Sequence, residues 1–190
     1  REETIRCSNC GTQDAFTVWE SINVSLDPSL KAPLLDGKLT TFHCPRCAHE
    51  STVLYDLFYH DMDKSLALWL KEEDGDETEA AKEMFSASTQ IQTCRTVRTL
   101  HELYDKIRVF DDGLDDLGIE IFKFSVCIRK QMDLSLPFHY AGTKSSFFGR
   151  KSLSFEVWGG SKFESMTCSM KDYRGAMEAL IVKFRPLLDN

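Results

Sequence analysis

Cys7-Ser8-Asn9-Cys10 and Cys44-Pro45-Arg46-Cys47 are the two stretches that decide how the first part of this sequence folds. Each is a Cys-x-x-Cys knuckle, a tight turn that aims two sulfur atoms at one metal ion. Two such knuckles are typical of a four-cysteine zinc site. Gly11 follows the first turn, where positive φ is often needed, and Pro45 rigidifies the second turn. The spacing predicts one zinc ion bound by the four cysteines.

Two disulfides, a redox Cys-x-x-Cys motif and unrelated buried cysteines are the competing interpretations. The cysteine total of seven is odd, and the first residues do not resemble a secretory signal, which argues against a disulfide scaffold. A thioredoxin-like redox motif would need only one knuckle. His43 and His49 flank the second knuckle, so a mixed cysteine–histidine site stays open at this stage.

The chemistry of the cysteine set indicates the role of the metal. A catalytic zinc ion keeps one coordination position open for water or substrate, whereas four thiolates fill the tetrahedron. We therefore expect one structural Zn²⁺ that takes no part in a reaction.

Further motifs follow the first knuckle in a fixed order: Ser21-Ile22-Asn23-Val24, Asp27-Pro28-Ser29-Leu30, Leu34-Leu35-Asp36-Gly37, Tyr59-His60-Asp61 and Phe110-Asp111-Asp112-Gly113-Leu114-Asp115-Asp116. With the two knuckles, they resemble the CpXC domain family, prokaryotic proteins named after two Cys-Pro-x-Cys motifs. The resemblance implies zinc binding by Cys7, Cys10, Cys44 and Cys47 and implies no activity. Ser8 stands where the family name has proline, and Ala48 where glycine is common.

The pattern along the chain predicts an α+β protein. Residues 1–70 are expected to form a zinc-ribbon-like module with an antiparallel sheet. It would contain a strand over 14–26, a short helix that begins at Asp27-Pro28 and ends at Gly37, and a hairpin of 51–60 with 65–70. Residues 71–95 include an acidic run without large apolar residues, which predicts a linker.

Residues 96–190 are expected to form a helical pair, β-strands and a C-terminal helix. Thr99 to Glu102 has the form of a capping box, and Gly113 ends the first helix. The second helix, about 116–131, is expected to be largely buried through its apolar residues Leu117, Ile121, Phe124 and Ile128. Three strands over 134–168 and a helix near 170–185 follow.

Three groups of side chains outside the cysteine set are candidate sites. A basic and aromatic segment could bind single-stranded nucleic acid, His60 and Asp61 could serve as general base and orienting carboxylate of a hydrolase, and an acidic cluster could bind magnesium or calcium. Each also has a plain structural explanation as a hairpin, a turn or a helix junction. The first group is Tyr140, Lys144, Phe147, Phe148, Arg150 and Lys151, and the third is Asp111, Asp112, Asp115, Asp116 and Glu120. The remaining cysteines, Cys94, Cys127 and Cys168, show no mark of activation.

Composition restricts the function further. The 190 residues have a net charge of −7, and no apolar stretch approaches the length of a membrane span. We expect a zinc-binding, non-enzymatic cytoplasmic module that binds another macromolecule, in the first place a protein, and no membrane. Nucleic-acid binding through the basic C-terminal third is the first alternative, and a hydrolase centred on His60 is the second.

Overall fold

The computed structural model of the chain describes residues 1–71, 92–145 and 149–188, with side chains as far as residue 179. Two compact units are present, Arg1–Leu103 and Tyr104–Asn190. Most of the predicted acidic linker over 71–95 lies outside the described residues. The boundary expected between 95 and 96 falls inside a strand that pairs with its neighbour along its whole length, so this strand belongs to the first unit.

The first unit is built from short strands and one short helix. In chain order these are β1 (Glu2–Arg6), β2 (Gln13–Thr17), β3 (Ser21–Asn23), α1 (Lys31–Leu35), β4 (Thr41–His43), β5 (Glu50–Thr52), β6 (Leu57–Asp61), β7 (Leu66–Leu70) and β8 (Thr93–Val97). β1 pairs with β2, and β4 pairs with β5, each as an antiparallel hairpin. One Cys-x-x-Cys knuckle forms the turn of each hairpin, so we call these two elements the knuckle hairpins.

A four-stranded sheet in the order β3-β6-β7-β8 forms the rest of the first unit. β6 and β7 form the expected hairpin, but β3 is parallel to β6 and β8 is parallel to β7, so this sheet is mixed rather than antiparallel. β7 is buried on both faces: Leu66 and Leu68 lie on one face and Ala67 on the other, and none of the three is exposed to solvent. β7 is a central strand between antiparallel β6 and parallel β8, and its continuous apolar run is typical of a strand that is covered on both faces.

The strand expected over 14–26 is divided in the structure. β2 pairs in the first knuckle hairpin and β3 in the four-stranded sheet, and residues 18–20 between them are not in a strand. Periodicity cannot distinguish one long strand from two short ones that belong to different sheets. The short helix begins as expected: the Asp27 side chain accepts a hydrogen bond from the Ser29 N–H, and Pro28 starts a 3-10 turn that continues into α1. Gly37 follows with a φ of 74°.

The second unit contains helices and one antiparallel sheet. Helix α2 (Leu100–Asp111) begins in the first unit, and α3 (Asp116–Lys130), β9 (Phe138–Ser145), β10 (Lys151–Trp158), β11 (Phe163–Ser169) and α4 (Met170–Leu188) follow. The sheet order is β11-β10-β9. Its core is the buried cluster Val109, Ile119, Phe122, Val126, Tyr140, Leu153, Phe155 and Tyr173. Thr99 caps α2 as the capping box predicts, because the Glu102 N–H donates to Thr99 Oγ1, while the Glu102 carboxylate accepts from the Arg98 N–H, one residue before the usual donor.

Helix α3 buries a different face from the expected one. Leu117, Phe124 and Ile128 are 63%, 56% and 56% exposed, whereas Ile119, Phe122 and Val126 are buried. Apolar residues lie on both faces of the helix, and the face that packs in the core with residues of the sheet is the one with Ile119 and Phe122. Amphipathic spacing alone therefore identified the helix correctly and its buried side incorrectly.

The architecture confirms the α+β class, with small sheets first and helices packed beside a sheet later in the chain. Among the described residues, no helix is both long enough and apolar enough to cross a membrane.

Candidate metal centre

The four cysteines of the two knuckles meet at one point. All four sulfur atoms lie within 4.8 Å of one another. The Cys7 and Cys47 sulfurs are 3.7 Å apart, and the Cys10 and Cys44 sulfurs are 3.5 Å apart. A tetrahedron with metal–sulfur bonds of about 2.3 Å has edges of about 3.8 Å, whereas a disulfide would bring two sulfurs to about 2.05 Å. The donor set therefore fits one tetrahedrally bound metal ion, and all seven cysteines are free of disulfides.

The two knuckles have the same backbone hydrogen bonds. In the first, Gly11 N–H donates to the Cys7 carbonyl at 2.9 Å and Cys7 N–H to the Thr12 carbonyl at 2.8 Å. The second repeats this pattern: Ala48 N–H donates to the Cys44 carbonyl, and Cys44 N–H to the His49 carbonyl, both at 2.9 Å. Gly11 and Ala48 both have positive φ, 72° and 55°. The hairpins thus present two equivalent pairs of sulfurs.

Side chains of one knuckle contact the other. Asn9 Nδ2 lies 3.5 Å from the Cys47 sulfur, and Ser8 Oγ lies 3.2 Å from His49 Nε2. His43 Nδ1 lies 3.1 Å from Glu50 Oε1, across the β4–β5 pair. The two histidines are thus engaged with Ser8 and Glu50, and the ligand group in the described part of the chain consists of the four cysteines. The mixed cysteine–histidine alternative is not supported.

The surroundings of the thiols differ. Hydrogen bonds with the side chain and backbone of Thr12 lower the pKa of the Cys10 thiol to about 6. A backbone N–H at His49 and the Asn9 amide lower the pKa of the Cys47 thiol. Burial raises the pKa of the Cys44 thiol to about 11. Because metals bind the thiolate form, the hydrogen bonds that lower the pKa of Cys10 and Cys47 assist metal binding, whereas the burial that raises the pKa of Cys44 opposes it.

An aromatic cluster links the knuckle hairpins away from the sulfurs. Phe16 of β2 and Phe42 of β4 are buried, with ring centroids 6.4 Å apart in an edge-to-face arrangement. Tyr55 packs edge-to-face on Phe16 at 6.2 Å, and its hydroxyl donates to the Leu39 carbonyl at 2.9 Å. The aromatic cluster thus connects the hairpins in addition to the four sulfurs and the contacts between the knuckles. Four thiolates leave no position for a water or substrate, so the centre can organise the hairpins and has no open position for chemistry.

A comparison with protein families matches the CpXC family model, described as "CpXC protein", over residues 5–123. This range is more than half of the chain. The chain belongs to the CpXC family. The match includes both knuckles, the four-stranded sheet, all of α2 and the first half of α3, and it confirms the resemblance drawn from the motifs. No curated protein and no solved structure matches the chain.

Of the departures from the CpXC pattern, Ala48 has a structural consequence. It occupies the left-handed region, which a residue with a Cβ adopts at a cost of about 1–2 kcal/mol. Glycine, which the resemblance to the family leads us to expect at this position, would have no such cost. Ser8 in place of proline keeps the turn and supplies the hydroxyl that contacts His49.

The structure does not join His60 to Asp61. The two are neighbours on β6, so their side chains leave opposite faces of the strand. Asp61 accepts the Lys64 N–H at 3.2 Å and lies 3.5 Å from the Lys31 ammonium. The His60 ring packs 6.0 Å from Phe58, and its Nε2 is buried without a hydrogen-bond partner among the described residues. A base and its orienting carboxylate need a hydrogen bond between them, so the candidate pair is not formed, and the contacts of Asp61 agree with the turn explanation.

The acidic cluster is occupied by protein donors. Asp112 accepts from the Tyr140 hydroxyl at 2.6 Å and from the Thr143 N–H at 3.0 Å. Asp115 caps α3 by accepting the Gly118 N–H. The Lys106 ammonium lies 2.5 Å from Asp116 and 2.6 Å from Glu120. These contacts support the helix-junction explanation of the cluster and leave little for a cation.

The basic and aromatic segment is only partly a surface. Tyr140 is fully buried in the core of the second unit, so it cannot stack on a base. Lys144, Arg150 and Lys151 are exposed near the β9–β10 connection. Phe147 and Phe148 lie outside the described residues. The burial of Tyr140 agrees with the hairpin explanation of this segment, in which the aromatic side chains face the core.

One charged pair in the second unit was not found from the sequence. The Lys123 ammonium lies 2.9 Å from Asp105 Oδ2, and Asp105 is 2% exposed. The same oxygen accepts the Tyr140 N–H at 2.9 Å, while Asp105 Oδ1 is buried without a hydrogen-bond partner among the described residues. The two residues are 18 positions apart on different helices, so no local pattern indicates the pair.

The other cysteines lie outside the metal centre. Cys127 is buried in α3, and Cys94 and Cys168 are half-buried in β8 and β11. Burial raises the pKa of all three thiols, so they favour the unreactive thiol form, as expected.

Proposed function

We propose that this CpXC protein is a zinc-organised, non-enzymatic module that binds another protein. The observation that carries the proposal is the closed set of four sulfurs at tetrahedral spacing, which joins two hairpins of few residues each. An isolated two-stranded hairpin is marginally stable in water, and zinc binding by such knuckles contributes about 10–16 kcal/mol in small peptides. Zinc is favoured over iron or copper because Cys₄ in two knuckles is a typical structural zinc set.

Several features support a binding role over a catalytic one. The metal centre has no open position, the candidate His60–Asp61 pair is not formed, and side chains of the acidic cluster are engaged with protein donors. A zinc-ribbon arrangement of the knuckle hairpins would give a small, rigid surface. None of the seven cysteines is in a disulfide, which fits a reducing compartment, so we propose a cytoplasmic location.

Affinity purification compares the zinc-loaded chain with Cys7→Ser, and Cys94→Ser serves as a matched control outside the metal centre. We expect the unaltered chain and Cys94→Ser to retain the same partner proteins. We expect Cys7→Ser to lose them. Because removal of one ligand can unfold the hairpins, circular dichroism of each variant accompanies the purification. Partners that persist with Cys7→Ser, or a zinc-loaded chain that converts a substrate, would contradict the proposal.

Nucleic-acid binding is tested in the same series. The zinc-loaded chain is passed over single-stranded DNA at increasing salt, together with the triple variant of Lys144, Arg150 and Lys151 to glutamine. We expect no retention of either protein, because Tyr140 is buried and the chain has a net charge of −7. Salt-dependent retention that the triple variant loses would replace the protein-binding proposal.

A further inference from the structure

The two knuckle hairpins leave strand edges unpaired next to each other. β2 pairs only with β1, and β4 pairs only with β5, in two separate two-stranded sheets. A strand at the edge of a sheet presents a row of backbone donors and acceptors to its surroundings. The second side of β2 and the second side of β4 are therefore available for pairing in the described part of the chain.

The register shows which backbone groups point outward. In the first hairpin, Val18 and Arg1 exchange hydrogen bonds, and Cys7 N–H donates to the Thr12 carbonyl. Hydrogen-bonded and non-hydrogen-bonded pairs alternate along an antiparallel ladder, so Ala15 and Thr17 are in non-hydrogen-bonded pairs with Thr4 and Glu2. Their N–H and C=O groups point away from β1, toward the free side of β2.

The same alternation applies to the second hairpin. Val53 N–H donates to the Thr40 carbonyl, and Cys44 N–H donates to the His49 carbonyl. Thr41 follows Thr40 directly, and His43 directly precedes Cys44. Because bonded and non-bonded positions alternate, Thr41 and His43 form non-hydrogen-bonded pairs with β5. Their backbone groups point toward the free side of β4.

Both free edges border one cavity of about 400 Å³. Three consecutive residues of β2 and three of β4 line it, together with side chains of the loops that adjoin these strands. Because consecutive side chains of a strand point to opposite faces, three consecutive lining residues in each strand indicate that the strand edges border this cavity. Phe16 and Phe42 are buried at this site, and Ala15, Thr17 and His43 are exposed. The lining residues are Ala15, Phe16, Thr17, Trp19, Lys38, Leu39, Thr41, Phe42 and His43.

The opposite edge of the first hairpin is less suited to pairing. β1 reads Glu-Glu-Thr-Ile-Arg, and charged side chains on an edge strand oppose the addition of a further strand. β2 reads Gln-Asp-Ala-Phe-Thr, and its outward positions over the cavity are the small or uncharged Ala15 and Thr17. Half-buried Trp19 and Leu39 offer apolar surface to a side chain of an added strand.

We propose that this groove binds an extended segment of the partner protein, which adds to the free edge of β2 as a new strand. The inference rests on the protein-binding function proposed above and names its surface and the form of its ligand. Backbone hydrogen bonds to Ala15 and Thr17 provide the pairing, and alternate apolar side chains of the segment contact Trp19 and Leu39. Strand addition of this kind depends on backbone bonds for affinity and on pockets for specificity.

The probe is a phage-displayed library of random twelve-residue peptides, selected on the immobilised, zinc-loaded full chain. Selected peptides are synthesised, and their dissociation constants are measured by fluorescence anisotropy. Amide hydrogen exchange of the unaltered chain is then recorded with and without peptide. We expect slower exchange at Ala15 and Thr17 when the peptide is bound.

Two proline variants form a matched pair. Ala15→Pro removes an outward N–H of β2 and no bond of the β1–β2 ladder. Thr4→Pro does the same on the outer edge of β1, directly opposite Ala15 in the register. We expect Ala15→Pro to weaken peptide binding at least tenfold and Thr4→Pro less than twofold. Both variants must keep one zinc ion per chain. If Ala15→Pro does not fold, the change in hydrogen exchange at Ala15 and Thr17 of the unaltered chain on peptide binding tests the inference instead.

Other outcomes overturn the inference. These are a selection without a specific peptide, peptides that leave exchange at Ala15 and Thr17 unchanged, and equal loss of binding in the two proline variants. Dimerisation of the chain that Ala15→Pro abolishes would identify the occupant as a second copy and would also contradict it. If Ala15→Pro still captures the partners that Cys7→Ser loses, the groove is wrong while the protein-binding function stands.

Discussion

Ala48 and Gly11 occupy equivalent positions in the two knuckles, and exchanging their residue types should change zinc affinity in opposite directions. Each donates its N–H to the carbonyl of the first cysteine of its knuckle, and each has positive φ, 55° at Ala48 and 72° at Gly11. The knuckle conformation must form for two sulfurs to face the metal. A change in the energy of that conformation is therefore a change in binding free energy.

The magnitude follows from the backbone. The left-handed region costs a residue with a Cβ about 1–2 kcal/mol. Replacement by glycine removes this cost, but glycine loses more conformational freedom on folding, which offsets about 0.5–1 kcal/mol of the gain. The net effect is about 0.5–1 kcal/mol, or about two- to fivefold in an equilibrium constant. A Cβ at Gly11 would lie 3.5 Å from Arg6 Nη2, which is ordinary contact, so packing adds little.

We expect Ala48→Gly to tighten zinc binding about two- to fivefold and Gly11→Ala to weaken it by a similar factor. Competition with a chromophoric chelator at constant pH measures both affinities. Ser65→Gly is the control, because Ser65 also has positive φ but lies in the β6–β7 turn. It should raise thermal stability and leave zinc affinity unchanged. Weaker binding by Ala48→Gly, or unchanged binding by Gly11→Ala, would refute the equivalence of the knuckles.

Three further predictions concern both units. Chelation of the zinc ion should abolish hydrogen-exchange protection of the two knuckle hairpins while β6 and β7 keep theirs, because that sheet has its own buried leucines; equal loss in all strands would contradict this. Lys123→Met should lower the free energy of unfolding by about 3–5 kcal/mol, since it leaves the buried Asp105 carboxylate without its cation. Urea unfolding measures this change, and a loss below about 1 kcal/mol would show that the pair is not important. Desolvation tends to raise the pKa of Glu120, but the Lys123 and Lys106 ammonium groups outweigh it and hold the pKa below its ordinary value. A lowered folded-state pKa stabilises the folded chain above about pH 4.3, and this stabilisation is lost as the pH falls further. Glu120→Gln cannot titrate, so it should lose less stability than the unaltered chain between about pH 5 and about pH 3. An equal loss of stability in the two proteins would contradict this prediction.

The metal centre and the elements near it could be read from the sequence because their signals are local. The two knuckles, the Asp27-Pro28 helix start and the β6–β7 turn each depend on residues within a few positions of one another. The arrangement of the four cysteines around one point then follows from the preference of a metal ion for four thiolates.

What could not be predicted depends on contacts between distant parts of the chain. The division of 14–26 into β2 and β3 follows from pairing with β1 on one side and β6 on the other. The buried face of α3 depends on where the β9–β11 sheet lies. The Asp105–Lys123 pair joins two different helices, and the edge of β2 is free only because no further described strand pairs with it. Neither feature is contained in a local sequence pattern.

The central claim is that one Zn²⁺ ion, bound by four sulfurs, joins the two knuckle hairpins and takes no part in chemistry. Zinc K-edge X-ray absorption on protein never exposed to a chelator tests it most directly. We predict one zinc ion per chain with four sulfur ligands at about 2.3 Å. Well under one equivalent of zinc, or a nitrogen or oxygen ligand in the first coordination sphere, would contradict the claim.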